Sequence, residues 1–281
     1  MLSGRRDALF VSAIRIPATG AHDIPPAVKW SAQQYTAFEA ERTRPVRDLV
    51  AAIPNRDART LIDLGCGPGN STEVLAAAFP AATVIGIDNS SDMIAAARKR
   101  LPSVRFELAD ITTWSDEGPF DVILSNAVFQ WVEDHATLFP RFVTRLSAGG
   151  SLAIQMPDNA DVPAQRAMRE IAAEGAWAGK LANVARPARH DVLFYYDLLK
   201  PLCARVDIWR TTYHHVIAGG GAGVVEWFKG SALRPYLTVL DEAEQKAFLA
   251  RYLKDVEQAY PARSDGTVLL PFPRLFFVAT R

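Results

Sequence analysis

Cysteine is nearly absent. Cys66 and Cys203 are the only two in 281 residues, and neither sits in a CxxC or other metal-ligand spacing. Two thiols make no disulfide framework, so a reducing cytoplasm is the expected compartment. Long apolar runs are missing as well; none approaches the roughly 20 residues that a membrane-spanning helix needs. Nor is there an excess of positive charge, since 31 Lys and Arg balance 31 Asp and Glu. Nonspecific binding to nucleic acid requires Lys and Arg to neutralise phosphates, so no nucleic-acid partner is expected. Arg5 and Arg6 ahead of an apolar stretch imitate a secretory signal, but Arg15 cuts that stretch short and no small-residue cleavage site follows. Residues 1–27, with Pro17, Pro25 and Pro26, read as a loosely ordered extension, and 28–281 as the folded domain.

What the chain does have is an alternation of short apolar runs with helical periodicity. Residues 60–64, 83–87, 104–108, 120–124 and 152–156 read as buried strands. Between them lie helices led by Asn70 with Glu73 at capping-box spacing, by Ser90 or Ser91, and by a run over 138–146 that Gly149 and Gly150 end. Pro45 is placed to open an earlier helix through Val46, Leu49, Val50 and Ile53. Such alternation predicts a parallel, doubly wound α/β sheet. After Pro157 the rhythm changes. A helical stretch over 163–181, an insertion after Gly219, and strands over 205–216 and 275–280 predict a helical lid formed by insertions at about 158–190 and 218–265.

The loop after the first strand carries Asp63, Gly65, Cys66, Gly67, Pro68, Gly69 and Asn70. Glycines there let a ligand approach the backbone, and the next helix offers its N-terminal amides. A dinucleotide fingerprint would need glycine at position 70, which is Asn. Asp63 suits a ligand ammonium better than a pyrophosphate, which points to a cationic amino-acid ligand. Asp88, with Asn89 beside it, ends the second strand, where one carboxylate can accept from both hydroxyls of a ribose. Asp110 follows the third strand, where it can meet the exocyclic amine of adenine, with the Ile111 amide facing the ring. Asn126 follows the fourth and can approach a methionine portion. All lie at the carboxyl ends of neighbouring parallel strands, the crevice where such sheets bind ligands. Cys66 is expected to be a small loop residue, and Trp209, Trp227 and Phe276 core residues.

These motifs resemble those of class I methyltransferases, which implies a Rossmann-like sheet, mostly parallel with an antiparallel last strand, and S-adenosyl-L-methionine as cofactor. From Trp30 onward the chain resembles the trans-aconitate 2-methyltransferase family. The likeness lies in 35–38, 41–45, Asn126 with Gln130 and Trp131, 155–159, 206–213, 233–235 and 273–276. Residues 1–29 carry none of it, and an upstream start is the expected reason. The resemblance implies methyl transfer to a carboxylate of trans-aconitate. That nucleophile is already ionised at neutral pH, its pKa being near ~4, so no general base and no metal are expected. In that fold Arg274 would stand at the start of the last strand, as the main cation for the tricarboxylate. Tyr213 and His214 would face the same crevice, Trp131 would wall it, and Arg234 would come from the lid. Tyr35 and Arg44 would close over the methionine carboxylate. Three other readings differ in what they need: a methyltransferase of another small-molecule or carrier-bound carboxylate, the latter needing a protein-docking patch; a dinucleotide oxidoreductase, which would need the glycine that Asn70 replaces; and a non-catalytic S-adenosylmethionine-binding module, for which the aromatic and basic lid residues would have no purpose.

Overall fold

The computed structural model describes residues 39–115, 118–184 and 190–281; the expected extension over 1–27 and Tyr35 lie outside them. Seven strands form one sheet in the order β3-β2-β1-β4-β5-β7-β6. They are β1 (Thr60–Leu64), β2 (Thr83–Asp88), β3 (Arg105–Leu108), β4 (Phe120–Asn126), β5 (Leu146–Pro157), β6 (Arg205–Ile217) and β7 (Val268–Thr280). The first five run parallel, and β7 is antiparallel to both β5 and β6. The helices are α1 (Glu39–Ala51), α2 (Asn70–Ala78), α3 (Ser91–Arg100), α4 (His135–Thr144), α5 (Pro163–Ala172), α6 (Ala178–Leu181), α7 (Val192–Leu199), α8 (Gly220–Lys229), α9 (Arg234–Val239) and α10 (Glu242–Ala259).

Both faces of the sheet are covered because side chains alternate along each strand. Ile62, Ile123, Ile154 and Phe277 pack with Phe139 and Phe142 of α4 and Tyr195 of α7. Their neighbours Leu61, Val122, Ala153 and Phe276 pack on the other face with Val46 and Leu49 of α1 and Leu75 of α2. Chain order reverses at β1, which lies between β2 and β4. The carboxyl ends of these strands therefore border a crevice.

Several elements differ from the expected ones. The α1 helix begins at Glu39, so Pro45 lies within it rather than opening it. Asn70 caps nothing: left-handed Gly69 is the N-cap of α2, and Glu73 pairs with Arg100 at 3.1 Å. Gly175, at φ 72, separates α5 from α6 within the expected single helix over 163–181. The β5 strand starts at Leu146 and runs through Gly149 and Gly150. The β7 strand starts at Val268 rather than 275, despite Pro271 and Pro273. The geometry explains the last case. Pro273 O accepts from Asp158 N at 2.8 Å, so the nitrogen edge of Pro273, and of Pro271 two residues away, faces β5 where that strand has ended. No ladder donor is lost there.

Beyond the sheet's carboxyl edge, the β6–β7 hairpin carries a second apolar core. Ile217, Val268, Leu270 and Phe272 pack there against Met168 of α5, Trp227 and Phe228 of α8, Tyr236 of α9, and Phe248 and Tyr252 of α10. No helix among the described residues is long and apolar enough to cross a membrane.

Candidate active site

The loop after β1 turns back on β2, with the Gly65 and Cys66 amides donating to Ile87 O at 2.8 and 2.9 Å. Gly65 has φ 72, and a Cβ there would lie 2.4 Å from Cγ2 of Val128. Only glycine fits both constraints. Gly67, at φ 55, has open space where a Cβ would stand, and its amide donates to Asp88 Oδ2 at 2.9 Å. The Ser90 amide donates to Asp88 Oδ1 at 2.9 Å. Burial raises the Asp88 carboxyl, and these two amides pull it back.

A cavity of about 430 Å³ opens at this point, bounded by Gly65, Gly67 and Pro68 on the loop and by Asp88, Asn89 and Met93 beyond β2. Its other walls are Asp110, Ile111 and Thr112 after β3, and Asn126, Val128 and Trp131 after β4. Asp110 Oδ1 accepts from the amide and hydroxyl of Thr112 at 2.8 and 2.7 Å, which folds the loop onto its own carboxylate. Arg141 of α4 clamps the same loop, donating to Thr112 O and Ile111 O, each at 2.8 Å. Ala127 has a left-handed φ of 59, a strained conformation for a residue with a Cβ. Its amide donates to Gln155 O at 2.8 Å, and its carbonyl accepts from Gln130 Nε2 at 2.6 Å. That strained turn aims the Asn126–Val128 segment into the cavity.

Asp63 does not line the cavity. It is fully buried behind the loop, where Oδ2 accepts from Ser71 Oγ and Thr72 Oγ1, both at 2.7 Å. Burial pushes its carboxyl up to about 6 against those two hydroxyls. Its Oδ1 and Asn126 Oδ1 are buried acceptors that no described residue meets. A glycine cradle, an apolar wall at Ile111, carboxylates at both ends and the unmet Asn126 acceptor suit S-adenosylmethionine, whose ribose, adenine and ammonium all donate. Cys66 is no nucleophile: it is buried, and burial pushes its thiol far up.

The residues expected on the substrate side fall into four places, Trp131 alone lining the cavity. Arg274 and Tyr213 lie on the α1 face of the sheet. Arg274 is 3% exposed, pairs in register with Pro157 at the end of β5, donates to Gln155 Oε1 at 3.2 Å, and stands 4.8 Å over the Phe272 ring. Tyr213 donates to Asp48 Oδ2 of α1 at 2.6 Å, and the Arg44 guanidinium lies 5.3 Å from its ring centre. Tyr213 and Arg44 thus fasten α1 to β6, and neither lines the cavity. His214 is a correction. Adjacent strand residues point to opposite faces, and it is Tyr213 and His215 that share the inner one, leaving His214 exposed. His215 stacks on Trp227 at 4.6 Å in the second core. Arg234 is half-buried at the head of α9 and does not reach the cavity. Arg210 is exposed and pairs with Asp158 at 2.7 Å. Trp209 stacks on Phe276 at 5.0 Å.

Reasoning from sequence missed Gln155, Gln130 and Arg141. Gln155 carries the same signal that exposed Asn126, a polar residue near the carboxyl end of a buried strand. The other two act on backbone carbonyls and leave no residue-type signature.

A family model described as a methyltransferase domain matches residues 61–150, from β1 into β5. A trans-aconitate 2-methyltransferase of Rhodopseudomonas palustris (strain BisB5) is 50% identical over 256 residues, covering 90% of this chain and 99% of that protein. One of Variovorax paradoxus (strain S110) is 50% identical over 258 residues, covering 90% of this chain and 98% of the relative. Among solved structures, Haemonchus contortus phosphoethanolamine N-methyltransferase 2, in complex with phosphomonomethylethanolamine and S-adenosylhomocysteine, is similar at a TM-score of 0.52. That match has 16% identity and covers 85% of this chain and 52% of the other, so the likeness is one of fold alone.

Proposed function

The chain belongs to the trans-aconitate 2-methyltransferase family, and from that premise we propose that it transfers the methyl group of S-adenosylmethionine to a carboxylate of trans-aconitate, giving a monomethyl ester and S-adenosylhomocysteine. The observation that carries this reading is 50% identity over 256 residues, which cover 90% of this chain and 99% of the relative. S-adenosylmethionine, when bound, supplies an electrophilic methyl group on a sulfonium.

The chain's own residues have three tasks. Gly65 and Gly67 leave room for the cofactor, Asp88 and Asn89 take its ribose, and Asp110 with Ile111 takes its adenine. Asn126 carries an acceptor for its ammonium, and Asp63 acts on that ammonium from behind the loop as a charge rather than a contact. The second task is to hold the acid. Arg274 receives a carboxylate, because its planar fork matches one bidentately. Trp131 bounds the space between the two ligands. The third task is alignment, which by itself can be worth roughly 7–11 kcal/mol when reacting atoms are held in line. A carboxylate needs no deprotonation at neutral pH, so no side chain is assigned as a base. The substrate is thus a small acid rather than a nucleic acid, and two buried free thiols suit a reducing cytoplasm.

The test is methyl transfer from labelled S-adenosylmethionine to a panel of di- and tricarboxylates, with products weighed by mass spectrometry. Preferred formation of trans-aconitate monomethyl ester is expected. Preference for a carrier-protein thioester, or no transfer to any free acid, would overturn the reading.

A further inference from the structure

Gln155 is fully buried near the end of β5, in register with Asn126 of β4 on one side and Phe276 of β7 on the other. Its amide orientation follows from its neighbour. A guanidinium only donates, so Oε1 must face Arg274 Nη1 at 3.2 Å, and Nε2 must face away. That nitrogen is buried, and no acceptor among the described residues meets it. The Asn126 and Asp63 side chains lie on the same face of β4 and β1, each with a buried acceptor equally unmet. The row Asp63, Asn126, Gln155, Arg274 thus runs across four neighbouring strands, with unmet acceptors on β1 and β4 and donors on β5 and β7.

An amide serves packing here no better than Leu or Met would, and a buried donor left unmet loses its hydration for nothing. We propose that Gln155 is a substrate-binding residue, whose Nε2 donates to the trans-aconitate carboxylate lying between Arg274 and the cofactor pocket. The inference rests on the function proposed above and adds a specificity determinant to it. Arg274 supplies charge, and Gln155 supplies direction. A donor fixed by its own bond to Arg274 orients the plane of the reacting carboxylate, so that Gln155 holds one oxygen and the other is left for methyl transfer, while Arg274 holds a second carboxylate of the same acid. The same bond couples the two residues, since loss of the Gln155 oxygen would remove one of the guanidinium's partners.

Two variants separate this role from that of a mere support for Arg274. Gln155→Glu keeps an acceptor for the guanidinium but removes the donor and opposes the substrate's charge. Gln155→Met removes both polar atoms at similar volume. Calorimetry on protein loaded with S-adenosylhomocysteine, with tricarballylate as the unreactive tricarboxylate probe, should show affinity lowered about tenfold or more in each variant. S-adenosylhomocysteine affinity should stay within about twofold, and kcat/KM for trans-aconitate should fall at least as far as tricarballylate affinity. If Gln155→Glu binds tricarballylate as the wild type does, Gln155 only supports Arg274 or meets a buried water, and the inference is wrong. It is also wrong if cofactor affinity falls in parallel. If Gln155→Glu fails to fold, Gln155→Met decides by the same readouts. A wild-type protein that does not methylate trans-aconitate refutes the proposed function instead, and the tricarballylate titrations still report on Gln155.

Discussion

Asp63 holds its proton up to about 6 in the folded protein, against an ordinary 3.8, because burial outweighs the Ser71 and Thr72 hydroxyls. Between those two values the folded state binds more protons than the unfolded one. Stability of the cofactor-free protein should therefore decline as pH rises from about 3.8 to about 6, by roughly 3 kcal/mol, and level off above. Denaturant melts across that range should show this slope in the wild type and not in Asp63→Asn. The same carboxylate should matter in the opposite sense for the ligand. An ammonium favours the ionised form, so S-adenosylmethionine affinity should weaken below about pH 6, and Asp63→Asn should bind it about tenfold less well at pH 7. Unchanged affinity would return Asp63 to a purely structural role. Asp88 faces the cavity more directly. Asp88→Ala removes the shared acceptor of two ribose hydroxyls and also strands the Gly67 and Ser90 amides. Calorimetry should register a loss of more than about 100-fold in cofactor affinity, at roughly 1.5–3 kcal/mol for each of the two charged hydrogen bonds.

At the scale of elements, the cavity depends on two loops held from behind. Arg141 projects from α4 and grips the backbone of the loop after β3 with two 2.8 Å bonds. Arg141→Met should raise the KM for S-adenosylmethionine about tenfold while leaving that for trans-aconitate nearly unchanged. A parallel rise in both would mean that the loop serves the substrate as well. Much of this architecture was legible beforehand. Short β-branched runs marked all five parallel strands, and the polar residues at their carboxyl ends marked Asp88, Asp110 and Asn126, which line one cavity. What escaped needed information that one strand or loop does not carry. The prolines of β7 are tolerated only because β5 stops beside them. The faces of Tyr213 and His214 follow from parity, and parity needs one anchored residue, here Tyr213 bonded to Asp48. The Asn70–Glu73 spacing met a Gly69 that already turned the chain into α2 without a side-chain cap. Gln155 carried the same polar signal near a strand end as Asn126, but its unmet donor comes from its bond to Arg274 on β7, which lies far off in sequence.

Across the whole molecule, the cavity and the substrate-side residues come from different lengths of chain. The cavity walls lie between Gly65 and Glu133, within the span matched by the methyltransferase-domain model. Arg274 belongs to the β6–β7 hairpin, whose inner half, with Trp209, Phe276 and Val278, packs in the sheet, while its outer half, with Ile217, Leu270 and Phe272, packs under the helices. Arg274 stands where the two halves meet, over the Phe272 ring and bonded to Gln155 of β5. Cofactor binding and acid binding should therefore be separable by one substitution. Arg274→Lys keeps the charge but replaces a fork that can hold two carboxylate oxygens with a single ammonium. Losing about 1.5–3 kcal/mol of charged hydrogen bonding should lower kcat/KM for trans-aconitate roughly 10- to 150-fold. S-adenosylmethionine affinity should stay within about twofold, because no cavity wall is touched. Steady-state kinetics paired with cofactor titration tests both halves of this expectation. Kinetics matching the wild type would make Arg274 a strut between the two cores, and the tricarboxylate would then have to be sought near Arg44 or Arg234. An equal fall in cofactor affinity would instead mean that the hairpin and the cofactor strands act as one site.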